Sequence, residues 1–184
     1  MSEDETHARH LAQLGFLQDI VRDLGLSAQL VERSELVPYH TLLVDLEPDA
    51  QERPRQMAVN FYPADPELVA DTLLLQYFIV LPGTPDEAGA ARVREWLPDV
   101  NNQVVVGHFS LSSAAPWQMH FRYVQALPSD AVITAEAVSD VITLVSYTPL
   151  LYQNALEDLA AGDISVEQAR ASLKAEMDGG EAPA

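Results

Sequence analysis

Five histidines, His7, His10, His40, His108 and His120, are the side chains best suited to proton chemistry near neutral pH. His7 and His10 are three residues apart on an expected helix, so both rings can face one ion. Two imidazoles leave a metal site incomplete, and no nearby acid is placed to complete it, so no metal is expected. His108 and His120 fall on the two expected strands of one hairpin. They can face each other there, as cross-strand neighbours do without any catalytic purpose. Glu32, Glu35, Asp45, Glu47 and Asp49 cluster in sequence. Paired carboxylates do acid–base work only when burial or a partner shifts one of them. These five flank expected loops, so solvated surface is the expectation. There is no Gly-rich phosphate loop, no GxSxG elbow and no HExxH, and Gly83 and Gly89 are isolated. With no cysteine in the chain, disulfides and cysteine-based metal or redox sites are excluded. The residues therefore predict no catalytic set and no cofactor.

A second constellation is apolar. Trp117, Met119, Phe121 and Tyr123 alternate with Gln118, His120 and Arg122, the period of a half-buried antiparallel strand. The aromatic face is either the core side of a sheet or an open groove that receives a partner's segment. Gln103–Leu111, rich in Val and Phe, reads as the other strand of this hairpin, with turn chemistry over Ser112–Pro116. After Pro128 the period changes. Val138, Val141, Ile142, Val145, Leu151, Leu156 and Leu159 follow helical spacing. Thr134 is the expected cap, Gly162 the expected C-terminal glycine, and Pro149 predicts a kink or a break.

Ahead of this stretch, Leu11, Leu14, Leu17, Val21 and Leu24 predict a helix over about residues 5–24, closed by Gly25 and Leu26. Gln29–Glu35 is ambiguous, a short strand being one reading. His40–Leu46 and Gln56–Tyr62 read as a strand pair around a loop at Pro48–Pro54, with a turn at Pro63–Pro66. Leu68–Leu81 fits either strand or helix, and its aromatic and β-branched residues favour strand over Thr72–Leu81. Such a strand is apolar on both faces. The excess predicts a homodimer, with Leu75, Tyr77 and Ile79 at its interface. Thr84, Pro85 and Glu87 read as a capping box opening a helix that runs to about Trp96, where Pro98 stops it. Ser165 and Gln168 form a second box, opening a short helix to about Met177. Met1–Glu5 and the tail over 178–184 are expected to be disordered, leaving one domain over 1–177.

The chain has 184 residues, of which 48% are hydrophobic, enough for a core of its own. No run of apolar residues is long enough for a membrane span. The first ten residues are acidic and polar, unlike a secretory leader, so a cytoplasmic location is expected. Ten basic against 28 acidic residues give a net charge of −18. Nucleic acid and anionic membrane are poor direct partners for such a surface. A basic protein is the natural complement.

Adjacent strands separated by single helices argue for an α+β fold on an antiparallel sheet. The order α-βββ-α-ββ-α, with a short added C-terminal helix, resembles the YbjN family of bacterial proteins, a family of proposed sensory transduction regulators. The resemblance runs over about His7 to Gly162. Its main carriers are the segment Trp96–Leu111, with Asn101, Asn102, Gly107 and Phe109, the alternating strand Trp117–Tyr123 and the closing helix. It implies a fold like that of type III secretion chaperones. It also implies a non-enzymatic protein, often dimeric, that binds other proteins as an adaptor or regulator. The expected partner is a basic protein, for instance a nucleic-acid-binding one, reached through Trp117, Met119, Phe121 and Tyr123. The competing reading is a small-molecule-binding or enzymatic domain. A closed pocket with convergent, pKa-shifted groups would favour the latter; an apolar strip bordered by acids and open to solvent would favour the adaptor.

Overall fold

Period-two alternation in three successive segments builds the first part of the sheet. In the computed structural model, which describes residues 3–35, 37–62 and 71–177, Thr41–Leu46 (β2), Arg55–Phe61 (β3) and Thr72–Val80 (β4) pair antiparallel in turn. Their register puts Leu42, Val59 and Tyr77 in one row and Val44, Met57 and Ile79 in the next. All six side chains are buried. The intervening row, Leu43, Ala58 and Phe78, lies on the other face and is only half-buried. A short strand, Ala28–Val31 (β1), adds to β2, so the first run has four strands where three were expected. The ambiguous Gln29–Glu35 segment supplies the extra one.

Glu3–Asp23 (α1) packs on β1 and β2 through Leu14, Leu17, Ile20 and Val21. Leu24 is exposed and does not join that face. The helix starts at Glu3, so the expectation of disorder over Met1–Glu5 fails for its last three residues; the first two lie outside the described residues. Gly25 adopts φ +87°, and Leu26 N donates to Val21 O, which is the closure the sequence predicts. Gln18 Nε2 and Arg22 Nη2 both donate to Ala28 O, occupying an acceptor on the edge strand.

The remaining elements are Glu87–Asn101 (α2), His108–Leu111 (β5), Met119–Pro128 (β6), Ala135–Ala161 (α3) and Val166–Met177 (α4). The six strands are ordered β1-β2-β3-β4-β6-β5. Leu81 N donates to Met119 O, while Tyr77 packs on Tyr123, so β6 runs antiparallel to β4. The fold is thus α+β on an antiparallel sheet, in the order α-ββββ-α-ββ-α-α. Chain contacts divide into two compact units. One holds the residues through Ile79 with Arg122–Ser146; the other holds Val80–Phe121 with the residues from Tyr147 onward. The expected turn at Pro63–Pro66, residues 68–70 and the tail over 178–184 lie outside the described residues. No described helix is long and apolar enough to cross a membrane.

Three boundaries differ from expectation. Helix α2 begins at Glu87, with Asp86 rather than Thr84 as its cap: the Asp86 carboxylate accepts from Gly89 N at 2.7 Å. It also continues through Pro98 to Asn101. Pro98 lacks an N–H, but its carbonyl still accepts from Asn102 N, and Val100 is fully buried beyond it. Likewise α3 is one element from Ala135 to Ala161, so Pro149 does not break it. Thr134 Oγ1 accepts from Ala137 N at its start, as expected.

Strand β5 is shorter than the run Gln103–Leu111, because that run first has to leave α2. Asn101 fixes the exit. Its amide nitrogen donates to Phe109 O at 2.9 Å and its oxygen accepts from Phe109 N at 2.7 Å. One side chain thereby imitates a neighbouring strand on the outer edge of β5. Asn101→Ala should speed exchange of the Phe109 amide about tenfold or more, corresponding to a loss of about 1–2 kcal/mol for two unpaired main-chain groups. Amide exchange at Phe109 as slow as in the native chain would remove this role.

Candidate binding groove

The groove is built where α2 starts and α3 ends. Gly83, at φ +86°, turns the chain out of β4. Pro85 then leads to Asp86, whose side chain is committed to capping α2. Gly89, in the first turn of α2, lets that helix touch the end of α3: an added Cβ would meet Ala160 O at 2.2 Å. Helix α3 closes at Gly162, with φ +88°, and both Gly162 N and Asp163 N donate to Asp158 O. The capping box follows as expected: Ser165 N donates to Gln168 Oε1, and Gln168 N to Ser165 Oγ.

Arg92 finishes the α3 terminus. Its Nε donates to Leu159 O at 2.7 Å and its Nη2 to Ala160 O at 3.0 Å. A guanidinium here satisfies carbonyls that the helix leaves open and offsets the negative end of its dipole. Between the loop and the α3 terminus lies an open groove of about 510 Å³. Gly83, Pro85, Ala160 and Ala161 supply apolar lining, and Asp86, Glu157, Asp158 and Asp163 supply four acids. The lining contains no histidine, cysteine, lysine or arginine. The reactive groups it offers are these carboxylates and the Thr84 hydroxyl.

The sequence-derived sites map elsewhere. Met119 and Phe121 are buried, and Phe121 packs on Phe109 at 5.0 Å, which in turn meets Tyr152 at 5.6 Å. Tyr123 is half-buried and stacks on Tyr77. Trp117 is half-buried, with the Arg94 guanidinium 5.7 Å from its ring. The groove reading is therefore corrected for Met119 and Phe121, which strand alternation turns into the core, while Trp117 and Tyr123 remain half-buried. Leu75, Tyr77 and Ile79 are also corrected. They are at most 2% exposed within the single chain, so they have no surface to offer a second copy. The apolar surplus of β4 is on its other face, where Leu74 and Phe78 are half-buried and Val80 is 50% exposed.

Among the acids, Glu32, Glu35, Asp45 and Glu47 are exposed, as expected. Asp49 is not: it is 5% exposed and organises the β2–β3 turn. Its carboxylate accepts from Gln51 N, Arg53 N and Arg53 Nε, the last at 2.7 Å. His108 is exposed on β5, and His120 is half-buried on β6, where burial lowers its pKa.

The structure adds a third histidine to His7 and His10. His40 joins them from the loop before β2, its ring 5.8 Å from that of His7. His10 stacks on Phe61 at 4.5 Å and 19°. A cavity of about 10 Å³ is all that remains between these rings and Tyr39. Burial, helped by His7, Arg9 and His40, lowers the His10 pKa from 6.5 to about 4. Burial, then His7 and Arg33, also lowers that of His40, against a weaker opposing effect of Glu32. Among the described residues, no group of three or more His, Asp or Glu side chains is arranged to hold a metal ion.

No protein-family model matches the chain, and none of the curated proteins matches it. Among solved structures, it is similar to the crystal structure of YbjN from E. coli, at 14% identity, covering 77% of this chain and 91% of that one, with a TM-score of 0.46.

Proposed function

We propose that this protein is a non-enzymatic adaptor or regulator that holds a basic segment of another protein in the groove between the β4–α2 loop and the end of α3. The observation that carries the reading is the layout of the groove: apolar lining, four acids and no base, on a chain of net charge −18. Apolar contact supplies most of the affinity, since exposed ion pairs contribute only about 0–1 kcal/mol each. The acids speed encounter and reject acidic competitors. A nucleic-acid-binding protein is one class of partner with the required charge, engaged without this acidic chain touching nucleic acid. The protein acts as a homodimer, through contacts that leave out Leu75, Tyr77 and Ile79, which are core.

Capture from a lysate tests the reading. The intact chain should recover basic proteins, and the combined variant Glu157→Gln, Asp158→Asn, Asp163→Asn should lose most of them. All three changes keep side-chain size, and Asp158 contributes its main-chain oxygen, not its carboxylate, to the α3 closure. Recovery of acidic proteins alone, or the same basic proteins on the variant, would count against the groove.

A further inference from the structure

We propose that the contact between α1 and the start of β2 is an acid-sensitive latch, in which protonating His10 and His40, clustered with His7, loosens α1 from β1 and β2. This device is independent of the groove and rests on packing. The three rings come together from two separate stretches of chain, with Phe61 stacked on His10 and His7 edge-on to His40. The space left between them, about 10 Å³, is at the lower limit for one water. New positive charges there are poorly solvated while α1 stays docked, since His40 is buried and His7 and His10 are half-buried.

His40 adds a specific obstacle. It is 8% exposed, and its Nδ1 accepts a hydrogen bond from Arg33 N at 3.1 Å. That nitrogen must carry the added proton in the imidazolium form, so protonation breaks this bond. The charged neighbours mostly oppose it as well. Arg9, on α1 and bonded to Ser129 O, faces His10; Arg33 faces His40, where Glu32 has a weaker effect in favour of the charged form. Phe61 and Tyr39 bring no compensating acid.

The sign follows from linkage. A folded-state pKa below the unfolded value favours the neutral ring, so docking is complete above about 6.5 and weakens as pH falls from there toward about 4. Release uncovers the apolar face made by Leu14, Leu17, Ile20 and Val21. The consequence is an apolar surface that appears on acidification.

Hydrogen exchange of the intact chain in the presence of a chelator tests this, corrected for intrinsic rates. Between about pH 7.5 and about pH 5, amides over Leu11–Val21 should lose about tenfold of their protection, a figure already reduced for the partial exposure of His10. Those of α4 should hold. The variant His10→Phe, His40→Gln keeps a ring on Phe61 and an acceptor for Arg33 N, and should keep α1 protected at the lower pH. Equal protection of native α1 at both pH values, or release in the variant as in the native chain, would overturn the proposal. If the variant does not fold, ring-proton titration of the native chain decides: His10 and His40 titrating below ordinary histidine support the latch, and titration at or above it overturns it.

Discussion

Gly89→Ala should lower stability by about 2–3 kcal/mol, a fall in Tm of about 5–10 °C for a chain of this size. In an ordinary helix the same change stabilises by about 1 kcal/mol, because alanine is the better helix former. Here the new methyl would lie 2.2 Å from Ala160 O and 3.1 Å from the Pro85 Cβ. The first obstacle is main chain at the end of α3, so no rotamer change relieves it. Pro85 and Ala160, the two residues the methyl would push against, line the groove, so the variant should bind partner more weakly even at temperatures where it is folded. Gly15 is the control. It lies in α1 with nothing within 4 Å of an added Cβ, and Gly15→Ala should be neutral or stabilising by up to about 1 kcal/mol. Thermal unfolding of both variants checks the pair; equal Tm values would refute the close α2–α3 approach.

Arg55→Leu should cost about 2–4 kcal/mol. Arg55 is 7% exposed on β3, with Nη2 donating to Ser146 O at 2.5 Å and Nη1 to Glu47 O at 3.4 Å. Leucine fills much of the volume but leaves both carbonyls without this donor, at about 1–3 kcal/mol for each one that stays dry. Two terms reduce the total. Burial of the guanidinium already disfavours its charge, and Nε is buried with no hydrogen-bond partner. Arg55→Lys keeps a charge and a donor but not the fork, and should fall between native and leucine. Urea unfolding followed by circular dichroism measures the series. A leucine variant as stable as the native chain would mean that water replaces the guanidinium on both carbonyls.

Much of the fold was legible because the signals were local. The alternation of Met57, Val59 and Phe61, the Gly25–Leu26 closure, Thr134, Gly162 and the Ser165–Gln168 box each depend on a few adjacent residues, and each appears as read. The failures occur where a distant group decides. Helix α2 starts at Glu87, capped by Asp86, where Gly89 packs on the end of α3. It passes Pro98 because Val100 is buried and Asn101 anchors β5. In β4, both faces are apolar, so composition could not say that Leu75, Tyr77 and Ile79 face the core. The register against β3 decides that. The groove was invisible for the same reason: Asp86 and Asp163 are far apart in sequence, and only the α2–α3 contact brings them together. His40 was recognisable as a histidine but not as the neighbour of His7 and His10, since sequence spacing does not show which loop folds over a helix. Asp49, read as solvated, is buried because the tight β2–β3 turn needs its carboxylate for two main-chain amides and Arg53.

Association kinetics test capture of a basic segment by the acidic groove most directly. The probe is a synthetic peptide of alternating arginine and leucine, presented to the intact chain over a series of salt concentrations. A matched variant with Asp45, Glu47 and Glu52 neutralised removes the same charge away from the groove. Neutralising Glu157, Asp158 and Asp163 should slow association and weaken affinity severalfold more than the matched variant does. The difference should shrink as salt shortens the reach of the field to about 3 Å at about 1 M. Equal effects of the two variants at every salt concentration would show that only net charge matters, and would contradict a groove that receives the partner.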